Sequence, residues 1–136
     1  MMITDTTSLV VIDPSTEFGE AALDLIEVGP RVTLFLMLSG PSAGALEAFA
    51  KNEGISVSEA GDIYLDQVST RLRRTGVKVE AWSSTGDDPI EELLEAVERT
   101  DAARVAVPAS SRMFGRRGLS ELAKYSTVPV MVAPAA

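Results

Sequence analysis

Five short apolar runs punctuate this chain, and the stretches between them repeat apolar residues at helical rather than strand spacing. No other feature constrains the fold so strongly. The runs are Ser8-Leu9-Val10-Val11-Ile12, the segment from Val32 to Leu38, Val77-Lys78-Val79-Glu80-Ala81-Trp82, Val105-Ala106-Val107 and Val128-Pro129-Val130-Met131-Val132. The first two are almost continuously apolar, the pattern of strands buried on both faces of a parallel sheet. The third alternates, as a strand near a sheet edge does. Between them, Phe18, Ala21, Ala22 and Leu25 make a helical stripe stopped by Gly29-Pro30. Leu46, Phe49 and Ala50 predict a short helix ending before Gly54. Ser58 is the expected cap of a helix whose apolar face is Tyr64, Leu65, Val68 and Leu72, ended by Gly76. Asp88 and Pro89 read as N-cap and first helical residue for a stripe of Ile90, Leu93, Leu94 and Val97. Leu119, Leu122 and Ala123 mark a last short helix.

Strands alternating with helices imply right-handed crossovers and a parallel sheet covered on both faces. The expectation is one α/β domain over residues 1–136, a three-layer sandwich with a five-stranded parallel sheet in the order 3-2-1-4-5. Such sheets bind ligands outside the carboxyl ends of their strands, where the strand order reverses. Asp13 and Ala109-Ser110 both fall at such ends.

Composition then removes whole classes of chemistry. The chain has no cysteine and no histidine, so thiol catalysis, disulfides, Ser-His-Asp triads and His- or Cys-ligated metals are excluded. A net charge of −8 argues against sequence-independent nucleic-acid binding, which needs lysines and arginines to neutralise phosphates. No apolar run reaches the roughly 18–20 residues that span a bilayer. The opening "MMITDTTSLVV" lacks the basic region and cleavage site of a signal peptide, so a cytoplasmic protein without nucleic-acid or membrane partners is expected.

No GxxxxGK[ST] and no GxGxxG after the first strand is present, which removes the P-loop and the dinucleotide fingerprint. A receiver domain would need an Asp closing its third strand and a Lys closing its fifth. Here those strands run into "AWSSTG" and "APAA".

Four stretches together resemble the universal stress protein family over nearly the full length. They are "LVVIDPS", "RLRRTGVKVEAWSSTGDDPIEELLEAV", "RVAVPASS" and "STVPVMVAP". The resemblance implies the same α/β fold and a two-fold dimer. In the ATP-binding branch of that family the loop after the fourth strand reads G-x-x-G-x9-G-[ST]. Its glycines let the backbone approach phosphate, and its final pair opens a helix whose amides and dipole attract the anion. This chain departs from the pattern. Ala109 and Arg112 stand at the first two glycine positions, and Gly115-Arg116 stands near the third with too few residues between.

The candidate nucleotide-binding residues are therefore Asp13, Ala109, Ser110, Ser111, Arg112, Gly115 and Arg116, with Arg117 beside them. Asp13 matches the family's first-strand Asp near the nucleotide, or else it caps the turn before Pro14. Ser110 and Ser111 donate to phosphate or simply make the turn. The arginines clamp an anion or pair with the many carboxylates. Arg116 and Arg117 sit at a helix start, which the dipole disfavours unless an anion or acidic partner is near. Asp87, Asp88, Glu91 and Glu92 could hold a divalent cation weakly, although helix-dipole complementarity explains them more simply. Trp82 and Tyr125 are expected in the core or at an interface.

The last strand is expected at a sheet edge, where Val130, Met131 and Val132 would be a pairing hazard in a monomer. A homodimer through that edge resolves it, and Pro129 fits an edge position. Three functions are in play. The first is a non-catalytic stress-response protein with a degenerate nucleotide site, acting through a protein partner. The second is a module binding ATP or another adenine nucleotide through Asp13 and the Ser110–Arg117 loop. The third is a weak metal-dependent phosphohydrolase using Asp13. No catalytic residue and no metal ligand is assigned.

Overall fold

Strand β1, Thr7–Val11, pairs on one side with β2, Arg31–Met37, and on the other with β4, Arg104–Pro108. The computed structural model describes residues 6–14, 30–40, 43–108 and 114–133. The helix expected around Phe18–Leu25 and the loop residues Ala109, Ser110, Ser111 and Arg112 lie outside them. Strand β3, Lys78–Ser84, adds to β2, and β5, Val130–Ala133, adds to β4. All four pairings are parallel and the order is β3-β2-β1-β4-β5, as the sequence predicts. The central strands carry the most continuous apolar runs because both of their faces are covered. In β2 every residue after Arg31 is buried.

Among the described residues the helices are α1, Ala43–Glu53; α2, Val57–Arg73; α3, Pro89–Thr100; and α4, Gly115–Tyr125. Alternate residues of one strand feed opposite layers. Val10, Ile12, Leu34 and Leu36 pack with Leu46 of α1 and with Leu65, Val68 and Leu72 of α2. Leu9, Val11, Phe35 and Met37 pack with Leu93 and Val97 of α3 and Leu122 of α4. This is the two-sided arrangement that right-handed crossovers demand once the chain reverses direction across the sheet after β3.

Several local expectations shift. The cap of α2 is Ser56, not Ser58. Its side chain accepts from the Glu59 amide at 3.1 Å while Glu59 reaches back to the Ser56 amide at 3.3 Å. The signal is Ser56-x-x-Glu59, a capping box, which the nearer Ser58 obscured. Pro129 stands just before β5 rather than within it, and its carbonyl accepts from the Val105 amide at 2.9 Å. Ala123 is exposed, leaving Leu122 as the buried anchor of α4. Phe49 is 40% exposed and Tyr125 60% exposed, whereas Trp82 is half-buried against the second layer.

Candidate functional site

Because every strand is parallel, all their carboxyl ends meet at one end of the sheet. The reversal lies between β1 and β4, the only neighbouring pair from which the chain departs in opposite directions. Val10 pairs with Ala106. Continuing that register puts Ile12 beside Pro108, so Asp13 stands at the very end of the seam. Asp13 is fully buried, at 0% exposure. A carboxylate withdrawn from water costs free energy unless the surroundings compensate it, which sets Asp13 apart from the exposed acids that give the chain its charge.

The same end of the sheet receives the start of α4. Gly115 has φ 61°, left-handed backbone that favours glycine. The position before it is Phe114, which is buried and offers no side-chain cap to the helix amides. Helices α2 and α3 are capped by Ser56 and Asp88. The first turn of α4 has no acidic residue, and its Arg116 and Arg117 are exposed. A helix start without a side-chain cap from Phe114, the positive end of the helix dipole and two exposed arginines thus coincide, a combination suited to an anion. Of the sequence-predicted site residues, Asp13, Gly115 and Arg116 are brought to this end.

A polar network missed by sequence reasoning shapes the β2–β3 side. The Leu38 amide donates to the Ser84 carbonyl at 2.7 Å, and Ser39 Oγ donates to the Gly86 carbonyl at 2.8 Å. Ser84, itself buried, donates from Oγ to Glu92 Oε1 at 2.6 Å. The loops after β2 and β3 are thereby tied to each other and to the first turn of α3. The available signal was a pair of serines closing β3 with an acid one turn into the next helix.

The acidic cluster has structural work. Asp88 Oδ1 accepts from the amides of Ile90 at 3.1 Å and Glu91 at 3.3 Å, the N-cap role its place before Pro89 predicts. Among the described residues no group of three or more acids could hold a metal ion. None of their helices is long and apolar enough to cross a membrane.

A five-stranded parallel sheet in the order β3-β2-β1-β4-β5 with a packed apolar layer on each face defines a doubly wound α/β protein. No family model matches the chain and no curated protein does, but solved structures do. The hypothetical protein MJ0577, a structural-genomics test case for assigning biochemical function from structure, superposes with a TM-score of 0.72 at 17% identity, over 98% of this chain and 99% of that one. A universal stress protein family protein from Arabidopsis thaliana, solved with AMP bound, gives 0.61 at 17% identity over 96% and 92%. A universal stress protein in complex with cAMP gives 0.63 at 16% identity over 98% and 100%. The chain therefore has the universal-stress-protein fold.

Proposed function

We propose that this chain is a universal-stress-protein-type stress-response module that binds an adenine nucleotide at the β1/β4 switch point and acts without catalysis. The observation that carries this reading is the coincidence of buried Asp13 with the uncapped, arginine-bearing start of α4 at one end of the sheet. The neighbours of like fold solved with AMP and cAMP support the ligand class. In this reading Asp13 orients the nucleoside. The amides after Gly115 and the guanidinium groups of Arg116 and Arg112 hold phosphate, with Ala109, Ser110 and Ser111 as further proposed contacts. The arginines supply by charge what the missing glycines supply by close backbone approach.

A dimer through β5 belongs to the same proposal. The two sheet edges differ. On β3 the exposed Lys78 and Glu80 flank the edge, and Arg73 Nη2 occupies the Val79 carbonyl at 3.2 Å. Edges blunted this way resist pairing. On β5 the sequence is VMVA, and Val132 is 47% exposed.

Calorimetric titration of ATP with Mg²⁺, and of AMP, tests the nucleotide site. The expected dissociation constant is below about 100 μM, or roughly −5.5 kcal/mol. Arg116→Ala, an exposed change that spares the core, weakens it at least tenfold, as do Arg112→Ala and Asp13→Asn. No heat at millimolar nucleotide refutes the reading. It would leave the degenerate site, motivated by Ala109 and Arg112 in place of glycines, and a protein partner instead.

A further inference from the structure

The loops after β2 and β3 meet at the carboxyl end of the sheet, and the register fixes where. Val11 pairs with Phe35, and the Ile12 amide donates to the Phe35 carbonyl at 3.0 Å. Continuing that register sets Asp13 beside Met37, and Met37 pairs in turn with Ser84. Asp13, Met37 and Ser84 thus stand in one row across neighbouring strands. Ser39 follows Met37 roughly 7 Å further along the chain, and Gly40, at φ 77°, bends it there. The chain enters α4 from β4, on the other side of β1. The Ser39-Gly40 bend therefore flanks Asp13 on the side away from α4.

This bend is braced from β3. The Leu38 amide donates to the Ser84 carbonyl at 2.7 Å, and Ser39 Oγ donates to the Gly86 carbonyl at 2.8 Å. Both acceptors belong to a stretch whose shape depends on one carboxylate. Ser84 Oγ donates to Glu92 Oε1 at 2.6 Å while accepting from the Gly86 amide at 3.4 Å. Glu92 lies so close to Gly86 that a Cβ there would strike its carboxylate. A hydrogen bond to a carboxylate is short and strong. Ser84 is buried, so without Glu92 its hydroxyl turns toward another acceptor. The Gly86 amide then loses the oxygen it points at, and the carbonyl that holds Ser39 moves with it.

We infer that, given the nucleotide reading above, Glu92 is a positioning residue for that site. Through Ser84 and Gly86 it holds the Ser39-Gly40 bend as a preformed wall on the β2 side of Asp13. It acts through the loop and not on the ligand. A wall fixed before the ligand arrives removes an ordering cost from binding, and a shift beyond about 0.5 Å in a supporting shell is enough to weaken a site.

AMP is titrated calorimetrically into the full chain and its variants, each shown to be folded by circular dichroism. Glu92→Ala weakens AMP about fivefold or more. Ser84→Ala breaks the same hydrogen bond from its donor side and gives the same loss, and it stands in if Glu92→Ala does not fold. Glu92→Gln, whose amide oxygen still accepts from Ser84, stays within about twofold of the parent. Ser39→Ala also weakens AMP, and adding it to Glu92→Ala weakens AMP no further, because both changes release the same bend. Val97→Ala leaves a cavity in the same helix and the affinity of the parent, which separates positioning from stability. The inference is overturned if Glu92→Ala or its stand-in binds like the parent, if Glu92→Gln is as weak as Glu92→Ala, or if the losses of Ser39→Ala and Glu92→Ala multiply. It is equally overturned if Val97→Ala weakens AMP as much. A parent chain that gives no heat with AMP refutes the nucleotide reading itself, and Glu92 then has no site to position.

Discussion

Replacing Gly86 by alanine tests the network that fixes the loop after β3. Gly86 does not use left-handed backbone, so the substitution probes packing rather than conformational strain. A Cβ at this position runs into the Glu92 side chain, meeting its carboxylate oxygen and carbon and its Cγ. Glu92 must swing away, and in doing so it gives up the 2.6 Å hydrogen bond from Ser84 Oγ. A hydrogen bond to a charged group contributes about 1.5–3 kcal/mol. Glu92 is half-buried, so solvent recovers part of that, and about 1.5 kcal/mol is the working figure. Alanine also lowers the entropy of the unfolded chain, worth about 0.5 kcal/mol in favour of folding. The net expectation is a loss of about 1 kcal/mol. With a urea slope of about 2 kcal/mol/M, the midpoint falls by about 0.5 M.

The decisive arm is the same substitution in a Glu92→Ala background. There the obstruction is gone and only the entropic gain remains, so Gly86→Ala stabilises by about 0.5 kcal/mol and its sign reverses. The coupling between the two sites is about 1.5 kcal/mol. All four proteins are unfolded in urea at one fixed protein concentration, since self-association would otherwise shift the midpoints. If Gly86→Ala costs the same in both backgrounds, the carboxylate of Glu92 does not hold this loop and the reasoning fails.

The other perturbations separate local from global contributions. Asp88→Ala removes the acceptor for two α3 amides and costs about 1 kcal/mol in a thermal melt; an unshifted melt would mean the cap contributes nothing. Leu93→Ala, at a residue with 0% exposure between α3 and the sheet, costs about 2–5 kcal/mol, and a smaller loss would show that the layer collapses around the gap. Val132→Lys, on the exposed edge of β5, weakens self-association in sedimentation velocity without a loss of helical signal. Unchanged sedimentation would place any dimer contact elsewhere.

The helix starts show why local patterns reach only so far. Asp88-Pro89 is legible because proline fixes the backbone of the first helical residue and leaves one possible cap before it. Ser56 and Ser58 offer two capping hydroxyls, and choosing between them depends on the Glu59 side chain turning back. Pro129 reads as part of β5 because its neighbours are apolar. The ladder instead takes the Pro129 carbonyl and begins its paired residues at Val130. The edges of elements are set by which hydrogen bonds find partners, and those partners come from elsewhere in the chain.

By itself the sequence determined the layer plan. Near-continuous apolar runs in β1 and β2 require cover on both faces, and alternation with helical stripes leaves a parallel sheet with right-handed crossovers as the economical solution. It also determined what chemistry is absent, because no fold restores a missing histidine or cysteine. It placed Asp13 and Ala109-Ser110 at strand ends and Arg116-Arg117 at a helix start. Only the tertiary structure showed that Asp13 is wholly buried and that α4 starts without a cap on the same side. Only the register revealed Arg31 opposite Lys78 with Trp82 along the same face, residues forty-seven positions apart in the case of the two cations. Burial and charge are properties of neighbourhoods, and in a parallel sheet the neighbours across a strand pair are separated by a whole crossover of sequence.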